Sequence, residues 1–124
     1  MPFIGRDHAA NINKNEMFED RSHELGEYRV TFMETHQPVA LGELLKGLPD
    51  DMCQSHHWGV VEAGEVTFEY KDGSVEVAHA GDAFYIRPGH KPHMSQGTRM
   101  TMFSPSAEMA LTDEAVQRNL EASR

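Results

Sequence analysis

Histidine is the residue this sequence uses to excess. Eight occur in 124 residues, and five of them, His56, His57, His79, His90 and His93, fall between the single cysteine, Cys53, and Met94. Neutral imidazoles and a thiolate suit borderline divalent metals, so a divalent transition metal (Zn, Fe, Ni or Cu) is the cofactor these side chains point to. Mg or Ca would demand oxygen ligands instead. Cys53, Ser55 and His57 alternate along the chain. On an extended strand they point one way, and His56 and Trp58 point the other. The His57 parity continues through Gly59, Val61 and Ala63, small apolar residues of the kind an interior face carries. Cys53 and His57 therefore share an inward face. A buried cysteine is ordinarily a plain packing residue. An inward imidazole is costly unless something pairs with it, which makes His57 the stronger functional candidate.

The elements that must position these residues read mostly as strands and turns. Tyr28 to Thr35 alternates, with Tyr28, Val30 and Phe32 on one side. Val39 to Leu48 has leucines at helical spacing, broken by Gly42, Gly47 and Pro49, so any helix there is short. Glu65 to Tyr70 puts Val66, Phe68 and Tyr70 on one face. Asp72-Gly73 predicts a two-residue hairpin turn, and Val75, Val77 and His79 return on one face. Ala83 to Ile86 and Arg99 to Ser104 complete the set, the latter presenting Met100 and Met102 on one side. Thr112 is a plausible helix N-cap, with Asp113 and Glu114 in the first turn and Val116 and Leu120 on one face. Residues 1–26 read as a polar arm or peripheral strand, 27–110 as a small sandwich or barrel, and 111–124 as a short C-terminal helix.

Composition excludes several function classes. Eleven basic residues against twenty acidic ones give a net charge of −9, and no basic patch is visible, which argues against a nucleic-acid partner. No apolar run approaches the ~20 residues a membrane span needs. Met1 to Asn15 lacks a basic start followed by an apolar stretch, so the expectation is a cytoplasmic protein with a reduced thiol. Neither a nucleophile elbow nor a glycine-rich phosphate loop is present, which disfavours nucleotide chemistry.

Two blocks resemble the cupin superfamily of small β-barrels. The first is His57-Trp58-Gly59-Val60-Val61-Glu62-Ala63-Gly64, similar to the end of the first cupin motif, with His57 standing six residues before Gly64 where that motif has Glu. The second is Gly81-Asp82-Ala83-Phe84-Tyr85-Ile86-Arg87-Pro88-Gly89, similar to the second cupin motif and its turn toward a metal-binding histidine. The resemblance implies an all-β, double-stranded β-helix (jelly-roll) barrel. The sequence departs from the pattern in two places. The His-x-His pair that opens the first motif falls on Asp51 and Cys53, or on Asp50 and Met52. The second motif's ligand position falls on Pro92, with His90 before it and His93 after it.

If the barrel closes as the resemblance implies, the Cys53–His57 segment meets the turn carrying His90 and His93 at its mouth. The candidate metal ligands are then Cys53, His57, His90 and His93, with Asp51 as a further ligand or, like His56, an orienting group behind one. Tyr85, Met94 and Met102 are candidate pocket-lining residues. His79 reads as an edge histidine. The function this implies is a small metal-binding barrel, catalytic or not, acting on one small molecule. The alternatives are a non-catalytic ligand-binding or sensor module and a structural homodimer with an empty barrel. Pairing of two copies is the expected assembly, since cupins commonly pair and exposed sheet edges need covering.

Overall fold

A computed structural model describes residues 3–122. The strands are β1 (Asn11–Lys14), β2 (Phe18–Leu25), β3 (Tyr28–Thr35), β4 (Val39–Ala40), β5 (His57–Ala63), β6 (Glu65–Tyr70), β7 (Val75–His79), β8 (Ala83–Ile86), β9 (His90–Met94) and β10 (Arg99–Pro105), followed by the helix α1 (Ser106–Ala122). They form two sheets, ordered β1-β2-β3-β10-β5-β8 and β4-β9-β6-β7, with antiparallel neighbours throughout. From β5 to β10 the chain crosses repeatedly between the sheets and laces them face to face. Their inner faces bury Phe18, Met33, Val61, Val66, Phe68, Ile86, Met94 and Met100 in one core. The crossing from β5 to β6 needs Gly64. Its φ is +79°, and a Cβ there would lie 2.4 Å from Thr98 Oγ1, so any side chain would be both strained and obstructed.

Several expectations about faces and boundaries are corrected. In β3 the alternation is present but inverted. Arg29, Thr31 and Met33 line the interior, while Tyr28, Val30 and Phe32 lie outside. The outer face is partly covered, since the Arg6 guanidinium sits 5.7 Å from the Phe32 ring centroid and Val30 is buried. The interior at this point is a cavity and accepts polar groups. In β7 the buried residue is Ala78, and Val75 and Val77 are exposed on an edge strand. His79 shares that outer face, with Nε2 3.3 Å from Glu65. The turn after Tyr70 is longer than two residues. Gly73 donates to the Tyr70 carbonyl, Tyr70 donates to Ser74, and positive φ falls on Gly73 but not on Asp72. Asp72 instead accepts from the Ser74 N–H at 2.9 Å.

The polar N-terminal segment is part of the barrel. β2 pairs with β3 along its whole length, Phe18 is a core residue, and Asp20 and Ser22 face the cavity. The Val39–Leu48 stretch resolves into β4 and a 3-10 turn at Leu41–Leu45 that buries Leu44 and Leu45. The helix begins at Ser106, five residues before the expected 111, and Thr112 lies inside it as a buried residue, not as its cap. Met109, Thr112, Val116 and Leu120 recur at three- and four-residue steps, the stripe by which a helix docks on one face. The docking is reinforced by Asn119 Nδ2, which donates to the Leu44 and Lys46 carbonyls at 2.9 Å each. Among the described residues no helix is long and apolar enough to cross a membrane.

Candidate metal centre

The sheet register brings three dispersed residues to one point. His57 opens β5 and pairs with Ile86 of β8. Four residues after Ile86, past the turn at Arg87-Pro88-Gly89, His90 opens β9. Cys53 joins β9 through an isolated bridge: its N–H donates to the His90 carbonyl at 2.8 Å, and the His90 N–H donates back at 3.3 Å. One donor atom from each of Cys53, His57 and His90 lies within 4.8 Å of the other two, and all three residues are buried. The two imidazole rings meet edge-on, with centroids 4.9 Å apart and planes at 74°.

Hydrogen bonds fix which nitrogen each ring presents. His90 Nδ1–H donates to the Arg87 carbonyl at 2.7 Å, since a carbonyl can only accept. That leaves the Nε2 lone pair free. His57 Nδ1 lies 2.6 Å from Ser104 Oγ, and its Nε2 lies 3.4 Å from Cys53 Sγ. Thr112 Oγ1 approaches the same sulfur at 3.4 Å. A tetrahedral ion with ordinary Zn–S and Zn–N bonds would hold sulfur and nitrogen ~3.5 Å apart, so the Cys53–His57 separation already fits a shared ion. A hydrogen bond from the unused imidazole nitrogen is the usual arrangement behind histidine ligands.

Burial decides the protonation of the group. Desolvation, aided by the positive forms of His90 and His56, pushes the His57 pKa down to about 3. Desolvation lowers His90 to about 4, against a smaller upward pull from the Arg87 carbonyl. Desolvation also raises the Cys53 thiol, outweighing its hydrogen bond from Thr112. The trio is thus a thiol and two neutral imidazoles at neutral pH. This is the wrong state for a thiolate–imidazolium nucleophile. It is suited to a cation, because neither ring carries a charge, the His90 Nε2 lone pair is free, and the His57 Nε2 already faces the Cys53 sulfur.

The trio opens onto a cavity of about 480 Å³. Its apolar walls include Phe18, Met33, Phe68, Met100, Met102 and Met109. Polar residues, among them Asn13, Asp20, Ser22, Arg29, Thr31 and Asp113, line the remainder. Met102 is therefore on the cavity wall. Met94 does not line this cavity and packs in the core between the sheets.

The other candidates lie elsewhere. His93 does not join the trio. Three residues from His90 on one strand, it faces outward, with Nε2 3.7 Å from Glu69 Oε1. Asp51 is exposed and accepts from the Gly47 N–H at 3.0 Å; with Asp50 it occupies a left-handed backbone position. His56 faces out, as its parity requires. Its N–H and Nδ1 lie 2.8 and 3.0 Å from Glu108 Oε1, and its ring stacks beside Trp58 and Tyr85. Tyr85 is half exposed on that outer surface, so it cannot line the interior. Ser104, Thr112 and Asp20 are functional candidates that the sequence reading missed. Ser104 shares the parity of Met100 and Met102 on β10, and that signal was available. The sequence places Thr112 at a helix N-cap and Asp20 in a polar N-terminal arm or peripheral strand, and only the docking of α1 and the pairing of β2 bring them to the cavity.

Comparison with known proteins rests on structure alone. No family model matches the sequence, and no curated protein matches it. Solved structures do match. A cupin 2 conserved barrel domain protein from Salinispora arenicola is 17% identical, with a TM-score of 0.54 over 88% of this chain and 91% of that one. An RmlC-like cupin from Shewanella frigidimarina is also 17% identical, with a TM-score of 0.53 over 77% and 84%. The chain has the cupin fold. Ectoine synthase from P. lautus shares that architecture at 10% identity and a TM-score of 0.56, over 85% of this chain and 78% of that one. A cupin barrel hosts unrelated activities, so the fold leaves the chemistry to the residues of this particular interior.

Proposed function

We propose that this cupin barrel binds a divalent transition metal (Zn, Fe, Ni or Cu) through Cys53, His57 and His90, beside a cavity that holds one small molecule. The observation that carries this reading is the convergence of three buried donor atoms within 4.8 Å of one another. Three protein ligands leave a coordination position free, the pattern of sites that meet substrate. When bound, the metal supplies a Lewis-acid centre at the end of the cavity. The protein's own residues orient the donors: Ser104 holds His57, the Arg87 carbonyl holds His90, and Thr112 contacts the sulfur.

Elemental analysis of untagged protein reconstituted with Zn²⁺ or Co²⁺ tests this reading. The expected result is one tightly held ion per chain, lost in His57→Ala. Near-zero metal after reconstitution, or full metal in His57→Ala, overturns it. A second reading, a non-catalytic binding or sensor module, is favoured by the absence of the His-x-His pair at residues 50–53. A ligand that raises Tm without turnover would select it. The homodimer also remains a proposal. Tyr28, Trp58, Tyr85 and Phe103 form an exposed aromatic surface on the outer face of the larger sheet, and sedimentation velocity tests pairing.

A further inference from the structure

The cavity contains a carboxylate that no hydrogen bond or ion pair answers among the described residues. Asp20 sits in the middle of β2, between Asn13 on β1 and Met33 on β3, and its side chain faces the cavity. Among the described residues that carboxylate has no hydrogen bond and no ion pair. The one basic side chain lining the same cavity, Arg29, is already held by two carboxylates. Its Nε lies 3.1 Å from Glu24 Oε1, and its Nη1 contacts Asp113 Oδ2. Burial raises the Asp20 pKa to about 6, with Asp113 pushing further in the same direction and Arg29 pulling back. Asp20 is half-buried, and a carboxylate partly withdrawn from water without a partner carries a desolvation cost. Its neighbours Asn13, Ser22 and Thr31 are neutral and do not offset it.

We infer that Asp20 is the recognition residue for a protonated amine, and that the cavity's ligand is a small molecule with an ammonium group at one end and an oxygen donor at the other. The amine half stands on Asp20 and the cavity. The oxygen-donor half rests on the metal reading given above. A metal ion is a poor occupant of the Asp20 end, since the neighbouring Asp113 is held by Arg29, and one free carboxylate beside neutral amides and hydroxyls lacks the ligands a divalent cation requires. The apolar wall of the cavity, with Phe18, Met33 and Met100, suits the carbon chain of such a molecule. One molecule can meet both, because Asp20 and the Cys53, His57 and His90 trio line the same cavity of about 480 Å³.

Calorimetric titration with n-hexylammonium, hexanoate and 1-hexanol tests the amine half on metal-free protein. Wild type is expected to bind hexylammonium at least tenfold more tightly than either of the others, and Asp20→Asn to abolish that preference. The expected second result uses Co²⁺-loaded protein. There 6-aminohexanoate perturbs the cobalt absorption bands, and Asp20→Asn weakens that response about tenfold while leaving Co²⁺ affinity unchanged. Preference for hexanoate, an unchanged preference in Asp20→Asn, or no binding of any of the three probes overturns the inference. Cobalt bands that never form, alongside intact Asp20-dependent amine selectivity, overturn the metal reading and leave the amine contact standing.

Discussion

Replacing Asp20 with Asn should make the protein more stable, and only above a particular pH. The unfolded chain titrates this carboxyl near its ordinary 3.8, whereas the folded chain titrates it at about 6. Between those values the native state holds the extra proton, so wild-type stability falls as pH rises through the window and levels off above it. A rise from 3.8 to about 6 corresponds to ~3 kcal/mol at ~1.36 kcal/mol per pH unit, and solvent screening of this half-buried side chain reduces that to roughly 1–3 kcal/mol. Asn is close to isosteric and carries no charge, so Asp20→Asn should recover that amount at pH 8 and nothing at pH 3.5. For a domain of this size each kcal/mol moves Tm by roughly 3–5 °C. Urea denaturation of wild type and variant at both pH values, with the slope compared to check that the unfolded states match, measures it. A variant no more stable than wild type at pH 8 would show that Asp20 is solvated or paired after all. An equal gain at pH 3.5 would show that charge is not the cause.

The metal centre yields further predictions. Ser104→Ala removes the partner of His57 Nδ1 and should weaken Zn²⁺ binding ~10–100-fold while leaving the far-UV circular dichroism unchanged. Competition with a chromophoric chelator reads the affinity, and unaltered affinity would refute the orienting role. His90→Ala should eliminate metal binding and His93→Ala should not, because only His90 faces the interior. Elemental analysis of the two variants side by side decides between them. In metal-free protein Cys53 should react slowly with a thiol-specific disulfide reagent at pH 7.5, since it is buried and its thiol pKa is raised, and Zn²⁺ should slow it further. Rapid modification of the native state would contradict that burial.

How much of this was legible in the sequence can be seen residue by residue. The Cys53/His57 parity could be read because neighbouring β-strand side chains point to opposite faces whatever the rest of the protein does. Val66, Phe68 and Tyr70 on one buried face, and the inward Met100 and Met102, follow from the same rule. The choice between His90 and His93 was open in the sequence, since both follow the Pro88-Gly89 turn. The bridge between Cys53 and His90 sets the register of β9 and brings His90, not His93, beside Cys53 and His57. The faces of β3 and β7 misled for a different reason. Hydrophobicity marks the buried face only when the interior is apolar and the exterior wet. Here the interior of β3 borders a partly polar cavity and its outer face is partly covered, so the usual pattern is reversed.

The sequence by itself determined the periodicities, the turns, the excess of soft metal donors and the barrel architecture, because these depend on interactions within a few residues or on a recognisable pair of spaced blocks. Tertiary structure alone decided which donors share a point, that Ser104 and Thr112 stand behind them, and that a carboxylate from the polar N-terminal segment faces the same cavity. Those facts come from contacts spanning large separations, such as the 47 residues from His57 to Ser104 and the 59 from Cys53 to Thr112. Such contacts exist only once strand register and helix docking have placed distant segments side by side.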